Sequence, residues 1–256
     1  MKQQDMTFLA HFEELRKRLI IVAIYLVVGM AGGFLAAPTV IEYLQNIPQA
    51  QDFPMNAFQL TDPLQVYINF AFVIGLILIV PVIWYQMWAF VSPGLADKEK
   101  KITLSYIPLA VLLFLGGIAF SYYILIPYLL EFLASIGDRL NITEQYGIKE
   151  YFSFLFRLTI PFGFLFQLPV LIMFLTRLGL ITPMFLHRIR KYAYFALIVI
   201  AAFITPPELI SHLMVTVPLL LLYELSLVIS RAVYKKRLKE EAEAQRQMAE
   251  SDTYSE

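Results

Sequence analysis

The chain of 256 residues is 59% hydrophobic and 16% charged, with twenty basic side chains, twenty acidic side chains and no cysteine. Soluble domains are about 45–50% apolar and about 25% charged, so this composition excludes an ordinary soluble enzyme and a disordered regulator. Balanced charge offers no basic surface for nucleic acid, and a chain without cysteine has no disulfides and no thiolate metal site. The sequence therefore predicts an integral membrane protein.

The N-terminal segment is polar and ends in the basic run Arg16, Lys17 and Arg18, directly before the first apolar stretch. Its length, and the lack of a small-residue cleavage site after that stretch, argue against a cleavable signal peptide. The basic run is explained as a membrane anchor, but the acids before it are not, because carboxylates gain nothing from an anionic lipid surface. Glu14 could pair with Arg18 one helical turn later, or it could bind a ligand.

Six apolar stretches approach the roughly 20 residues that a helix needs to cross a bilayer. They are continuously apolar rather than alternating, which favours helices over the strands of a membrane barrel. The expected fold is an all-α integral membrane protein, with one six-span domain over residues 1–230 and a charged, partly disordered cytoplasmic tail over 231–256. The predicted spans are residues 19–37, 66–91, 102–130, 151–176, 192–204 and 213–230.

Lys and Arg predict the orientation of these spans. Seventeen of them fall in the N-terminal segment, the loops 92–101 and 177–191, and the tail, whereas the opposite loops hold two. Because basic residues collect on the cytoplasmic side, both termini are expected there.

Proline and span length both predict departures from a plain bundle. Each proline within a span removes an amide donor and kinks its helix, so we expect a bent, concave assembly, although membrane helices also tolerate proline for packing alone. The fifth span offers only about 13 apolar residues, or roughly 20 Å of helix, which is shorter than the bilayer. The prolines in question are Pro81, Pro108, Pro127, Pro161, Pro169 and Pro218.

A second acidic cluster lies in the first cytoplasmic loop, at Asp97 and Glu99. Asp97 could cap the third helix and Glu99 could stabilise its first turn through the helix dipole. Ligand binding is the alternative for each acid.

No enzyme motif is present: the sequence has no G-x-S-x-G, no H-E-x-x-H and no Walker A loop. The three histidines are scattered, and Glu224 is the one clear carboxylic residue within a span. We therefore expect no enzymatic activity, no metal and no cofactor. Two alternatives are an ion-coupled small-molecule transporter, with Arg157, Gln167 and Glu224 along its path, and a membrane-embedded hydrolase or acyltransferase.

Several motifs, spread in order over nearly the whole chain, resemble the TatC family, the receptor cores of the twin-arginine protein translocase. The matching pieces are residues 11–19 (HFEELRKRL), 81–95 (PVIWYQMWAFVSPGL), Glu99, 163–169 (GFLFQLP), 188–192 and 205–207 (TPP). The resemblance implies a receptor and scaffold in the bacterial plasma membrane that helps to export folded proteins using the proton motive force. It also implies an oligomeric complex with single-span subunits of the TatA type and, in some systems, the TatB type.

The resemblance further implies that Glu14 and Glu99 bind signal peptides bearing consecutive arginines, with Arg16 and Phe90 around that pocket. A guanidinium presents a planar fork of donors that a carboxylate accepts at two points, and lysine does not copy this geometry.

One position departs from the family pattern, because many relatives carry glutamate where this chain has Gln167. A neutral amide keeps a hydrogen-bonding group within the membrane without burying a charge. The resemblance implies that Gln167, with Pro206 and Glu208 in the outer turn, contacts a partner's transmembrane helix. A helix-packing amide is the alternative for Gln167.

Overall fold

The computed structural model describes residues 8–46, 55–95, 97–139, 145–205 and 209–253, and almost all of them are helical. The chain forms two compact units, Met1–Phe164 and Leu165–Glu256. The fold class is the all-α membrane fold that the sequence predicts. The boundaries of the spans, the single domain and the partial disorder of the tail stay predictions.

The first unit contains six helices and two very short strands among its described residues. In chain order they are α1 (Phe8–Gln45), β1 (Met55–Asn56), α2 (Asp62–Val91), α3 (Asp97–Leu104), α4 (Tyr106–Phe120), α5 (Ile126–Arg139), β2 (Tyr146–Gly147) and α6 (Ile148–Leu165). A 3₁₀ turn (Ser92–Gly94) follows α2, and a π-helical turn (Ser121–Leu125) joins α4 to α5.

The second unit consists of three helices over its described residues. They are α7 (Leu168–Arg177), α8 (Pro183–Ile204) and α9 (Leu209–Thr253). The last helix continues from its apolar first half into the charged tail.

Three of the six prolines coincide with interruptions of a helix. A proline ring clashes with the carbonyl group four residues earlier. The end of α3 lies four residues before Pro108, and the end of α6 lies four residues before Pro169. The residue four positions before Pro127 is in the π-helical turn. The other three prolines lie inside helices that continue past them.

Five described helical segments are long and apolar enough to cross a membrane. The fifth predicted span lies in α8, which has 22 residues. The first half of α8 carries His187, Arg188, Arg190 and Lys191, so its apolar length is short, as the sequence indicates. The five segments are Phe12–Gln45, Asp62–Gly94, Glu99–Gly137, Ile148–Arg177 and Leu209–Gln247.

Glycines allow α1 and α2 to pack closely in antiparallel fashion. A Cβ on Gly33 would lie 2.6 Å from the carbonyl oxygen of Ala71, and a Cβ on Gly75 would lie 2.9 Å from the backbone nitrogen of Met30. Gly29 faces Gly75 at the same contact. Small residues four positions apart are typical of closely approaching membrane helices. We call Gly29, Gly33 and Gly75 the glycine contact.

Aromatic rings form the core between α2 and α6. The ring of Phe70 meets the rings of Phe152 and Phe156 edge to face, each at 4.8 Å between centroids. At the N-terminal end of α2, Asp62 is buried and its Oδ2 accepts hydrogen bonds from the backbone nitrogens of Phe58 and Gln59. Strands β1 and β2 pair in parallel, which joins the chain before α2 to the chain before α6.

Candidate functional site

Glu14 is held by an arginine on its own helix. Arg18 donates to Glu14 Oε1 through Nε at 3.1 Å and through Nη2 at 2.5 Å. The side chains retain 22% and 20% of their exposure, so the pair is only partly removed from solvent. This is the local pairing that the sequence allows. Arg16, two residues from Glu14, is exposed instead.

Arg18 also attaches this pair to the end of α2. Its Nη1 donates to Gln86 Oε1 at 3.1 Å, and its Nη2 donates to the carbonyl oxygen of Ala89 at 3.0 Å. The last carbonyls of a helix have no partner within the helix, so Ala89 is a natural acceptor. Arg18 therefore links the carboxylate of Glu14 to the last turns of α2.

The packing of α1 on α2 determines which residue of α2 lies at the same height as Glu14. Gly29 on α1 faces Gly75 on α2. The same number of residues, counted from Gly29 toward the N-terminus of α1 and from Gly75 toward the C-terminus of α2, leads to Arg18 and Gln86, which are hydrogen-bonded. One further turn on each helix brings Glu14 to the level of Phe90. The side chain of Phe90 is half-buried.

Trp88 holds the segment that contains Glu99 near the same end of α2. Its Nε1 donates to Thr103 Oγ1 at 3.1 Å and to the carbonyl oxygen of Lys100 at 3.3 Å. Thr103, which is buried, donates in turn to the carbonyl oxygen of Glu99 at 2.7 Å. The first turn of α3, with the half-buried Glu99, is thus fastened to α2 one residue from the Ala89 carbonyl that Arg18 binds.

An apolar surface of α1 lies on the side of the helix away from Glu14, because Phe12, Arg16 and Leu19 are turned from Glu14 by roughly 140–200° at about 100° per residue. Arg16 lies in a shallow groove of that helix whose other members are Phe12, Leu15, Leu19, Ile20 and Ala23. The end of α2 therefore holds the segments of Glu14 and Glu99, which suits a cationic ligand, whereas the exposed apolar strip lies on a different face of α1.

The residues expected to contact a partner helix are only partly described. Gln167 lies between α6 and α7, at the position that precedes the first turn of α7, and its side chain is half-buried. Pro206 and Glu208 lie outside the described residues, as does the side chain of Asp97.

The sequence does not reveal the residues that hold Glu14 and the segment of Glu99 in place. The sequence explains Arg18 as a membrane anchor or as a local partner of Glu14, and it gives no reason to single out Trp88 or Thr103. The glycine contact was missed as well, although Gly29 and Gly33 form a G-x-x-x-G spacing inside an apolar stretch, which is a readable signal for close helix packing.

Polar contacts also join helices within the second unit. Tyr194 donates to Glu224 Oε1 at 2.5 Å, and Arg190 Nε lies 2.8 Å from both the Tyr194 hydroxyl and Glu224 Oε1. The one carboxylic residue that the sequence places within a span is thus bound to α8.

Comparison with known proteins gives consistent matches along the chain. The family model described as Sec-independent protein translocase protein (TatC) matches residues 10–218. The Sec-independent protein translocase protein TatCy of Bacillus subtilis is 60% identical over 242 residues, which cover 94% of this chain and 95% of that protein. The TatC protein of Halalkalibacterium halodurans is 56% identical over 236 residues, covering 92% and 93%.

A solved structure agrees with these matches. The crystal structure of the twin arginine translocase receptor TatC is 34% identical, with a TM-score of 0.77, and the match covers 87% of this chain and 99% of that one. The family is a component of a protein translocase and not an enzyme, and the comparisons do not support the small-molecule transporter alternative. This multi-pass membrane protein belongs to the TatC family of Sec-independent protein translocase components.

Proposed function

We propose that this chain is the receptor subunit of a twin-arginine translocase and that Glu14 and Glu99 bind the paired arginines of a signal peptide. The observation that carries the proposal is the attachment of both acidic segments to the end of α2, through Arg18 at Ala89 and through Trp88 at Thr103. By the distribution of Lys and Arg, this end faces the cytosol, where an export signal is first met.

The geometry of Glu14 suits a second arginine. Both of the hydrogen bonds from Arg18 fall on Oε1, so binding of a guanidinium through Oε2 does not require them to break. A planar guanidinium can direct two N–H donors at the remaining oxygen, as Arg18 does at Oε1, and the ammonium group of lysine lacks this planar fork. Arg18 then acts as a positioning residue rather than as the ligand-binding group.

Phe90 and Arg16, the two other residues proposed for the pocket, lie in different positions relative to Glu14. Phe90, at the level of Glu14, offers a ring face against which a guanidinium can stack. Arg16 lies in the apolar strip on another face of α1, turned by roughly 200° from Glu14, so its proposed role is at the edge of the site rather than beside the bound arginine.

The proposed partners are the folded cargo that carries the signal and single-span subunits of the TatA type. In some systems a TatB-type subunit is a further partner. Gln167 is the described residue that we propose for contact with a partner helix, since its half-buried amide can bond a polar group within the membrane. Pro206 and Glu208 are proposed for the same contact. Export would draw on the proton motive force.

The test measures affinity for a synthetic signal peptide with the full-length protein in lipid nanodiscs. Glu14→Gln and Glu99→Gln should each weaken binding of an Arg-Arg peptide about tenfold, since each removes one charge-assisted contact of about 1.4 kcal/mol or more. Glu13→Gln is the matched control, because Glu13 is the exposed neighbour of Glu14. A Lys-Lys peptide should bind weakly to every variant.

Two outcomes would contradict the proposal. Unchanged affinity in the Glu14→Gln, Glu99→Gln double variant would remove these acids as the recognition site. A loss in Glu13→Gln equal to that in Glu14→Gln would mean that only diffuse negative charge attracts the peptide.

A further inference from the structure

Arg157 is an arginine within a membrane-spanning segment that the basic cytosolic segments do not explain. It lies inside α6, in the segment Ile148–Arg177 that is apolar enough to cross a membrane. Its side chain is exposed. A charged side chain at such a position is costly unless it reaches a headgroup or a charged partner, and it usually marks a functional site.

The side chain of Arg157 lines an open groove between α2 and α6. Three of the lining side chains are polar, namely Arg157, Ser153 and Asn69. Ser153 and Arg157 are one turn apart on α6 and therefore share a face, while Asn69 comes from α2. The apolar walls of the groove include Phe72, Phe156 and Ile160.

The direction of α6 places the polar end of this groove toward the outer surface. Arg157 lies roughly 13 Å along the helix from Ile148, at 1.5 Å a residue. Side chains on a helix lean toward its N-terminus, which for α6 is the outer end, and long basic side chains extend toward the nearer interface. Lys149, two turns earlier on the same face, continues the basic stripe to the end of the helix.

We propose that this groove binds an anionic phospholipid of the outer leaflet, with the phosphate on Arg157, Ser153 and Asn69. Arginine accepts phosphate oxygens through a two-point fork, and the hydroxyl and amide groups supply further donors. One acyl chain then lies along Phe72 and Ile160. The site is separate from Glu14 and Glu99 and does not depend on the proposed peptide binding.

Two features favour a lipid over a partner helix as the occupant. Because side chains on α6 lean toward its outer end, the long side chain of Arg157 can extend toward the interface where phosphates lie rather than toward the bilayer centre. The polar and apolar parts of the groove also follow each other along the membrane normal, in the order of a lipid headgroup and its chain. A partner helix would instead need its own acid at the depth of Arg157.

The test uses full-length protein in nanodiscs of mixed phosphatidylglycerol and phosphatidylcholine, with retained lipids identified by native mass spectrometry. The wild type should retain phosphatidylglycerol about tenfold in preference to phosphatidylcholine, as expected for one charge-assisted contact. Arg157→Gln should reduce that preference to about twofold or less, whereas Arg157→Lys, which keeps the charge, should fall between. Arg139→Gln is the matched control, since Arg139 is an exposed arginine at the end of α5, outside the groove.

The proposal would be overturned if Arg157→Gln kept the wild-type preference for phosphatidylglycerol. It would also be overturned if Arg139→Gln lost that preference to the same extent as Arg157→Gln. A second arm places a photo-crosslinking amino acid at Phe72 in protein purified from native membranes. Adducts with the mass of a phospholipid support the lipid site. Adducts with another membrane protein as the main product would overturn it in favour of a partner helix.

Discussion

Two of the arginine–carboxylate pairs, Arg18 with Glu14 and Arg177 with Glu240, have different surroundings. In the first unit, Glu14 and Arg18 lie on one helix and keep similar exposure, 22% and 20%. In the second unit, Arg177 at the end of α7 pairs with Glu240 on α9, and here the arginine retains 5% of its exposure and the glutamate 39%. The same two functional groups are thus buried to very different extents.

The difference indicates different roles. Arg18 has further acceptors at Gln86 and Ala89, so its charge does not depend on Glu14 alone. Arg177 is buried, and its Nε has no hydrogen-bond partner among the described residues, so Glu240 provides the charge that compensates it. We infer that the second pair fastens the charged tail of α9 to α7, while the first keeps a carboxylate in position for a ligand.

The largest expected effect is the loss of the compensating charge in the second unit. Glu240→Ala leaves the buried Arg177 uncompensated, which should cost about 3 kcal/mol of unfolding free energy. The midpoint of thermal unfolding of the purified protein should then fall by roughly 6–12 °C.

Glu243→Ala is the control for this prediction, because Glu243 is on the same helix and forms an exposed pair with Lys239 at 3.8 Å. Exposed ion pairs contribute little to the unfolding free energy, so the midpoint of thermal unfolding of Glu243→Ala should stay near that of the wild type. Equal midpoints for both variants would show that the pair of Arg177 and Glu240 is not structural.

A smaller effect is expected where backbone packing holds Glu14 at the end of α2. In Gly33→Ala the new methyl group meets the Ala71 carbonyl oxygen, which should cost about 1–3 kcal/mol. Since α1 must move on α2, affinity for an Arg-Arg signal peptide should fall as well, as measured in nanodiscs.

Gly32→Ala is the matched control, since a Cβ there meets nothing within 4 Å. Its stability and its peptide affinity should both remain close to those of the wild type. A neutral Gly33→Ala would mean that α1 can shift without loss, and that the glycine contact does not position Glu14.

The smallest effect is expected for the first pair itself. Arg18→Gln removes a partly exposed ion pair within α1 and the hydrogen bonds of Arg18 to α2, and should lower the unfolding free energy by about 1–2 kcal/mol. Thermal unfolding of this variant beside Glu240→Ala measures the contrast directly. If Arg18→Gln were as destabilising as Glu240→Ala, the two pairs would have the same structural role.

The sequence predicts the class of fold because continuous apolar runs leave a membrane helix as the one plausible structure. Its prolines indicate only some of the breaks: three interruptions fall four residues before a proline, but the helices that contain Pro81, Pro161 and Pro218 continue past them. It does not identify Arg18 as the residue that joins α1 to α2, because the contacts with Gln86 and Ala89 join positions about seventy residues apart. Helical spacing alone separates Arg18 from Arg16, since only Arg18 shares a face with Glu14.

The close approach of α1 to α2 has a consequence for the spacing of the chain between Gly29 and Glu14. With backbones in contact, the two helices admit a single axial alignment, and each residue turns the helix by about 100°. One residue inserted in this interval would swing Glu14 a quarter-turn or more around α1, away from α2, with every side chain intact. Length in this interval is therefore as much a part of the proposed site as the carboxylate.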